Sequence, residues 1–200
     1  MNPEVGPASV GARRASPVQS RAVRRGITIG LGALLVALSA QVVVPVPFSP
    51  VPMTLQPLAV LAVGGLLGAV GGFSAMVVYL ILGVLGLPVF APGGLPGALR
   101  LIGPTGGYLM SYPFAAWVAG HLAERGFDRR YVTSVIAMAA GLVVVFAGGV
   151  MWLGFVVEPS RGIGGALAAG FVPFVLPDLV KLLAAAGVMP ALWWLTGRTG

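Results

Sequence analysis

Residues 131–156 read Tyr131-Val-Thr-Ser-Val-Ile-Ala-Met-Ala-Ala-Gly-Leu-Val-Val-Val-Phe-Ala-Gly-Gly-Val-Met-Trp152-Leu-Gly-Phe-Val156, without a single charged residue. A helix needs about 20 predominantly apolar residues to cross the hydrocarbon core of a bilayer. This run exceeds that length and is read as a membrane span. Further apolar runs lie at 27–44, 57–71, 73–90, 106–121 and 174–196. The chain as a whole agrees: apolar residues make up 58%, charged residues 8%, and the mean hydropathy is +0.98. A soluble domain carries about a quarter charged residues to hydrate its surface. Here lipid has to be the solvent.

The number of spans turns on one junction. The runs 57–71 and 73–90 nearly touch at Gly71-Gly72, which reads either as a tight helical hairpin or as one long kinked span. Charge decides between them. With six spans and an inside N-terminus, the inner segments hold Arg13, Arg14, Arg21, Arg24, Arg25, Arg125, Arg129, Arg130 and Arg198, and the outer loops only Arg100 and Arg161. That distribution satisfies the positive-inside bias, whereas merging the two runs places the 122–130 cluster outside. The expectation is an all-α membrane protein with six transmembrane helices in one bundle over 27–196. A basic, disordered cytoplasmic tail, 1–26, precedes it. The protein is then multi-pass in the cytoplasmic membrane, with both termini cytoplasmic. The first apolar run is longer than the core of a signal peptide and is followed by more spans, so it is retained.

Glycine and proline sort by place. Gly64, Gly68 and Gly72 repeat every four residues, a spacing that predicts a groove for close helix packing. Residues 45–56 and 91–107 are rich in Pro or Gly and predict stiff outer loops folded over the helix ends. Residues 159–172 are small and apolar, a short interfacial segment before the last span.

Several functions are excluded early. With no Cys, one His and five carboxylates, the chain offers no metal site, and no cofactor is expected. Five of the twelve basic residues precede the first apolar run, which fits a cytoplasmic flank and not a nucleic-acid surface. A P-loop needs Gly-Lys-[Ser/Thr], and the only lysine, Lys181, follows Val180. His121 opens an inner basic loop and is read as an interface residue. The six-span topology sets it opposite Asp178, so a Ser/His/Asp site is ruled out.

The residues that call for a functional account are Asp178 and Lys181. Asp178 is the only carboxylate within an expected span, and Lys181 follows it at a spacing of three, so both share one helix face. A charge in hydrocarbon costs at least about 2.5 kcal/mol and needs a partner or a wet cavity. Mutual neutralisation is one reading; ligand contact near the outer mouth is the reading favoured by their depth. Arg100 lies in the Gly/Pro loop beside the same mouth and suits a carboxylate ligand, with a solvated loop residue as the alternative. Tyr108, Thr54 and Gln56 are the neighbouring hydrogen-bonding groups. Ala33 and Ala37 form a small-xxx-small pair, which on spacing alone favours packing inside the bundle.

Four stretches resemble the BioY family of biotin transporter subunits. They are Val51-Pro-Met-Thr-Leu-Gln-Pro-Leu-Ala-Val-Leu, Gly86-Leu-Pro-Val-Phe, Gly103-Pro-Thr-Gly-Gly-Tyr108-Leu and Pro173-Phe-Val-Leu-Pro-Asp178-Leu-Val-Lys181. The likeness runs in order through 27–196, with Pro57 a departure from the polar residue expected after Gln56. It implies a six-helix component, no enzyme, that captures biotin for an energy-coupling-factor transporter. It also implies biotin contact at Asp178 and Lys181, and docking of Ala33 and Ala37 on a transmembrane coupling protein that works with two ATPase subunits. The rival reading is a stand-alone carrier or channel for a small carboxylate-bearing vitamin. A carrier of that kind often shows an inverted repeat, and none is visible here.

Overall fold

The structure is a computed structural model and describes residues 17–195. Helix α1 spans Pro17–Ser39. It therefore takes in residues 17–26 of the expected cytoplasmic tail as helix; residues 1–16 lie outside the described residues. The reason is local: Pro17 has its φ pre-set for a first helical position, and no Gly or Pro interrupts residues 18–25. Beyond α1 an antiparallel ribbon forms, β1 (Val43–Val44) with β2 (Met53–Thr54), pairing Val43 with Thr54 and Val44 with Met53. The prolines at 45, 47, 50 and 52 prevent a helix but leave the N–H groups of the flanking residues free to pair.

Helix α2, Gln56–Val84, is interrupted at Gly68, whose φ of 73° and ψ of 178° reverse the chain. A Cβ added at Gly72 would lie 2.7 Å from the Gly64 Cα. In a straight helix those residues stand about 12 Å apart. The two arms, 56–67 and 69–84, are therefore folded on each other. The reversal expected at Gly71-Gly72 falls at Gly68, and the three regularly spaced glycines do not share one face. Gly64 and Gly72 let the arms touch, while Gly68 supplies the left-handed turn. Glu124 Oε1 accepts the Ala69 N–H at 2.9 Å, satisfying a donor left unpaired at the start of the second arm.

The short helix α3 (Leu99–Ile102) lies in the next loop. Helix α4 (Gly106–Leu122) crosses the hairpin closely, with Gly120 against Gly68 and Ala69. It continues through a π-turn, Ala123–Phe127, to α5 (Tyr131–Trp152). The 159–172 segment carries α6 (Gly162–Gly170), and the last apolar run is divided into α7 (Val172–Ala186) and α8 (Val188–Leu195). By length and composition alone, four helical stretches among the described residues suffice to cross a membrane, Arg21–Ser39, Gln56–Val84, Tyr131–Val157 and Pro159–Ala186, the second of them folded back at Gly68. The protein is all-helical apart from the ribbon, among the described residues.

The core is built from Val36, Val60, Val63, Met76, Tyr79, Ala115, Ala116 and Leu182, while Leu34, Val70, Phe114, Val143 and Leu176 point outward. Large apolar side chains on so many outward faces are the reverse of a water-soluble surface. Ala33 and Ala37 are 1% and 8% exposed and belong to the core. The resemblance had implied a docking face there. In the chain on its own both side chains pack within the bundle, as small-xxx-small pairs do where helices approach closely.

Candidate ligand-binding site

One cavity opens at the end of the bundle capped by the 45–55 and 91–105 loops. Thr54, Gln56, Arg100, Tyr108 and Asp178 all line it. Each reaches the wall for a local reason. Asp178 lies about 9 Å along α7 from Val172. Its neighbour Pro177 stands inside the helix, where it leaves a main-chain carbonyl one turn back without its usual donor. Asp178 is 5% exposed, and Lys181 Nζ donates to its Oδ1 at 2.8 Å.

Lys181 itself is not on the wall of this cavity. It stands behind Asp178, lining a small adjoining gap with Pro57 and Leu182. Its ammonium also donates to the Thr54 carbonyl at 3.0 Å. Lys181 thus holds Asp178 and ties the ribbon to α7.

Gln56 starts the first arm of α2 and is held from two sides. Its Nε2 donates to the Tyr79 hydroxyl at 2.6 Å, and Thr54 Oγ1 donates to its Oε1 at 3.2 Å. Tyr79 in turn meets Phe90 edge to face, with centroids 5.5 Å apart. Tyr108 presents its ring to the cavity, but its hydroxyl donates to the Gly170 carbonyl at 2.7 Å. That residue is a wall and a strut between α4 and α6.

Arg100 is carried by α3 and is 5% exposed. Its Nη2 donates to the Ala91 carbonyl. Burial lowers the guanidinium pKa below its ordinary value, and the group stays cationic at any physiological pH. Arg100 also lines a second, more open cavity with Val46, Pro50, Pro92 and Gly94.

Sequence reasoning missed Tyr112, Val145, Phe146 and Phe174, which form part of the remaining wall. Tyr112 was findable, since Tyr108 and Tyr112 stand four residues apart on one helix face. Phe146 and Phe174 lie in uniformly apolar runs, where nothing local separates a cavity wall from a lipid face. No cluster of His, Cys, Asp or Glu able to hold a metal occurs among the described residues.

Fold and site together define a membrane-embedded binding protein. Its pocket suits a small, largely apolar molecule that carries hydrogen-bonding groups and a negative charge. The chain belongs to the BioY family, whose model matches residues 12–198. It is 42% identical over 158 residues to a probable biotin transporter BioY of Pyrococcus horikoshii, covering 78% of this chain and 90% of that one. It is 40% identical over 164 residues to the biotin transporter BioY of Thermotoga maritima, covering 82% and 92%. A crystal structure of the S-component for biotin from an ECF-type ABC transporter superposes with a TM-score of 0.76 at 25% identity, covering 86% of this chain and 92% of that one. The family consists of transporters and not enzymes.

Proposed function

We propose that this protein captures biotin as the substrate-binding subunit of an energy-coupling-factor transporter in the cytoplasmic membrane. The observation that carries the reading is the convergence of Asp178, Gln56, Thr54, Arg100 and Tyr108 on one cavity. Biotin's ureido ring has two N–H donors and a carbonyl, its bicycle is apolar, and its tail ends in a carboxylate. The Asp178 carboxylate accepts a ureido N–H, and the ammonium of Lys181 keeps it charged and aimed. Aromatic walls at Tyr108, Phe146 and Phe174 receive the bicycle, and Arg100 at the mouth takes the tail.

Six crossings are supported by the reversal at Gly68, which separates the apolar stretch 56–84 into two arms. The first arm is about 18 Å long, short of the roughly 30 Å hydrocarbon core. Residues 51–56 complete that crossing, with Val51, Thr54 and Gln56 buried in protein, the condition under which irregular backbone is tolerated at membrane depth. The arginine distribution sets both termini on the cytoplasmic side. Because the chain has no P-loop, ATP-driven uptake draws on a transmembrane coupling protein and two ATPase subunits. The experiment is titration of the purified protein with labelled biotin. Saturable binding is expected, and no binding by a folded sample refutes the reading.

A further inference from the structure

Arg100 stands where two cavities meet: together with Pro52 and Thr105 it lines both the inner pocket and the wider vestibule beside it. A guanidinium at that junction has to be held still to be useful, because a long flexible side chain loses rotamer freedom when it binds. Two features hold it. The Ala91 carbonyl accepts from Nη2, and Nη1 fills the space that a side chain at position 94 would occupy. The neighbouring glycines are explained by backbone, since Gly93 has a φ of 80° and Gly97 a φ of 58°. Gly94 has no such φ, so its backbone accepts any L-residue. What a side chain there displaces is the far end of Arg100, a mobile group and not main chain.

We propose that Gly94 is a positioning residue for the ligand's carboxylate, acting by leaving open the socket in which the Arg100 guanidinium sits between vestibule and pocket. The inference rests on the reading that Arg100 meets the biotin carboxylate. A methyl group at position 94 expels the guanidinium from its socket while the loop keeps its path. The charge is then no longer held at the junction of the two cavities.

The test is titration of the full-length purified protein with biotin and with biotin methyl ester, which lacks the anionic group. Four forms are compared: the parent, Gly94→Ala, Arg100→Ala and the double variant. Gly94→Ala is expected to weaken biotin about tenfold or more while leaving the ester within about twofold. In the Arg100→Ala background the same change has no further effect, because the two residues act as one unit. Equal loss for acid and ester, no loss for either, or further loss in the Arg100→Ala background overturns the proposal. The double variant has nothing competing for the socket, so its comparison with Arg100→Ala decides the matter even where Gly94→Ala alone yields no folded protein. An Arg100→Ala protein that binds acid and ester as the parent does instead removes the underlying assignment of Arg100.

Discussion

Lys181 donates to the main-chain carbonyl of Thr54 at 3.0 Å, joining α7 to the ribbon across 127 residues of chain. The same ammonium holds Asp178 at 2.8 Å. One side chain therefore fixes both the acceptor on the cavity wall and the loop above it. Removing it leaves a buried carboxylate and a buried carbonyl without their donor. Lys181→Met is expected to destabilise the protein by about 1–3 kcal/mol. Adding Asp178→Asn recovers part of that loss by removing the stranded charge. Thermal unfolding in detergent measures both, and equal midpoints for Lys181→Met and the parent contradict the role.

Asp178→Ala tests the wall rather than its support. The variant loses a charge-assisted hydrogen bond to the ureido group, about 1.5–3 kcal/mol, so biotin affinity falls roughly ten- to a hundredfold. Calorimetric titration provides the number. An unchanged dissociation constant in a well-folded variant takes Asp178 out of the binding site.

At the hairpin, Gly68→Ala forces a side chain into backbone with positive φ and extended ψ, a region essentially reserved for glycine, which costs roughly 1–3 kcal/mol. Its Cβ also meets the Glu124 carboxylate that accepts the Ala69 N–H. The expected result is a lower unfolding midpoint and poorer folded yield, with the remaining folded protein still binding biotin. A midpoint at or above the parent's means that the reversal does not lie at Gly68.

The buried face of α1 makes a separate prediction. Ala33→Leu together with Ala37→Leu overpacks the interior, at about 1–3 kcal/mol for each site. Stability and biotin binding then fall together. Leu34→Ala with Leu38→Ala, on the exposed face of α1, leaves binding by the isolated protein unchanged. The reverse pattern, binding intact in the double-leucine protein and uptake lost, restores the two alanines to a docking face.

Orientation is open to chemical labelling because the chain has no cysteine. Pro96→Cys in the capping loop is expected to react with an impermeant reagent on intact cells, and Phe127→Cys only after lysis. Reaction at 127 but not at 96 inverts the topology.

Much of the site could be read without coordinates because charge is rare in this chain. A carboxylate and the sole lysine inside an apolar run stand out against hydrocarbon, where each needs a partner, and an arginine between glycines and prolines stands out in the same way. Polar composition thus identified Asp178, Arg100, Gln56 and Thr54 as residues with something to do.

Composition and charge by themselves determined that this is a helical membrane protein, where its apolar runs lie, and which few polar side chains need explaining. Those properties are local: a run of side chains fixes its own solvent, and backbone groups in lipid must pair within the helix. Facing and reach are not local, and only the tertiary structure decided them. The spacing of Ala33 and Ala37 is the same on a docking surface and in a core, and contact with neighbouring residues makes it core. Three glycines at equal intervals look alike until one of them takes a positive φ and the chain turns back. Lys181 lies on the same helix face as Asp178, yet its side chain finds the Thr54 carbonyl and stays behind the wall. A side chain's partner is set by whatever element packs opposite, and in a membrane bundle that element can lie more than a hundred residues away.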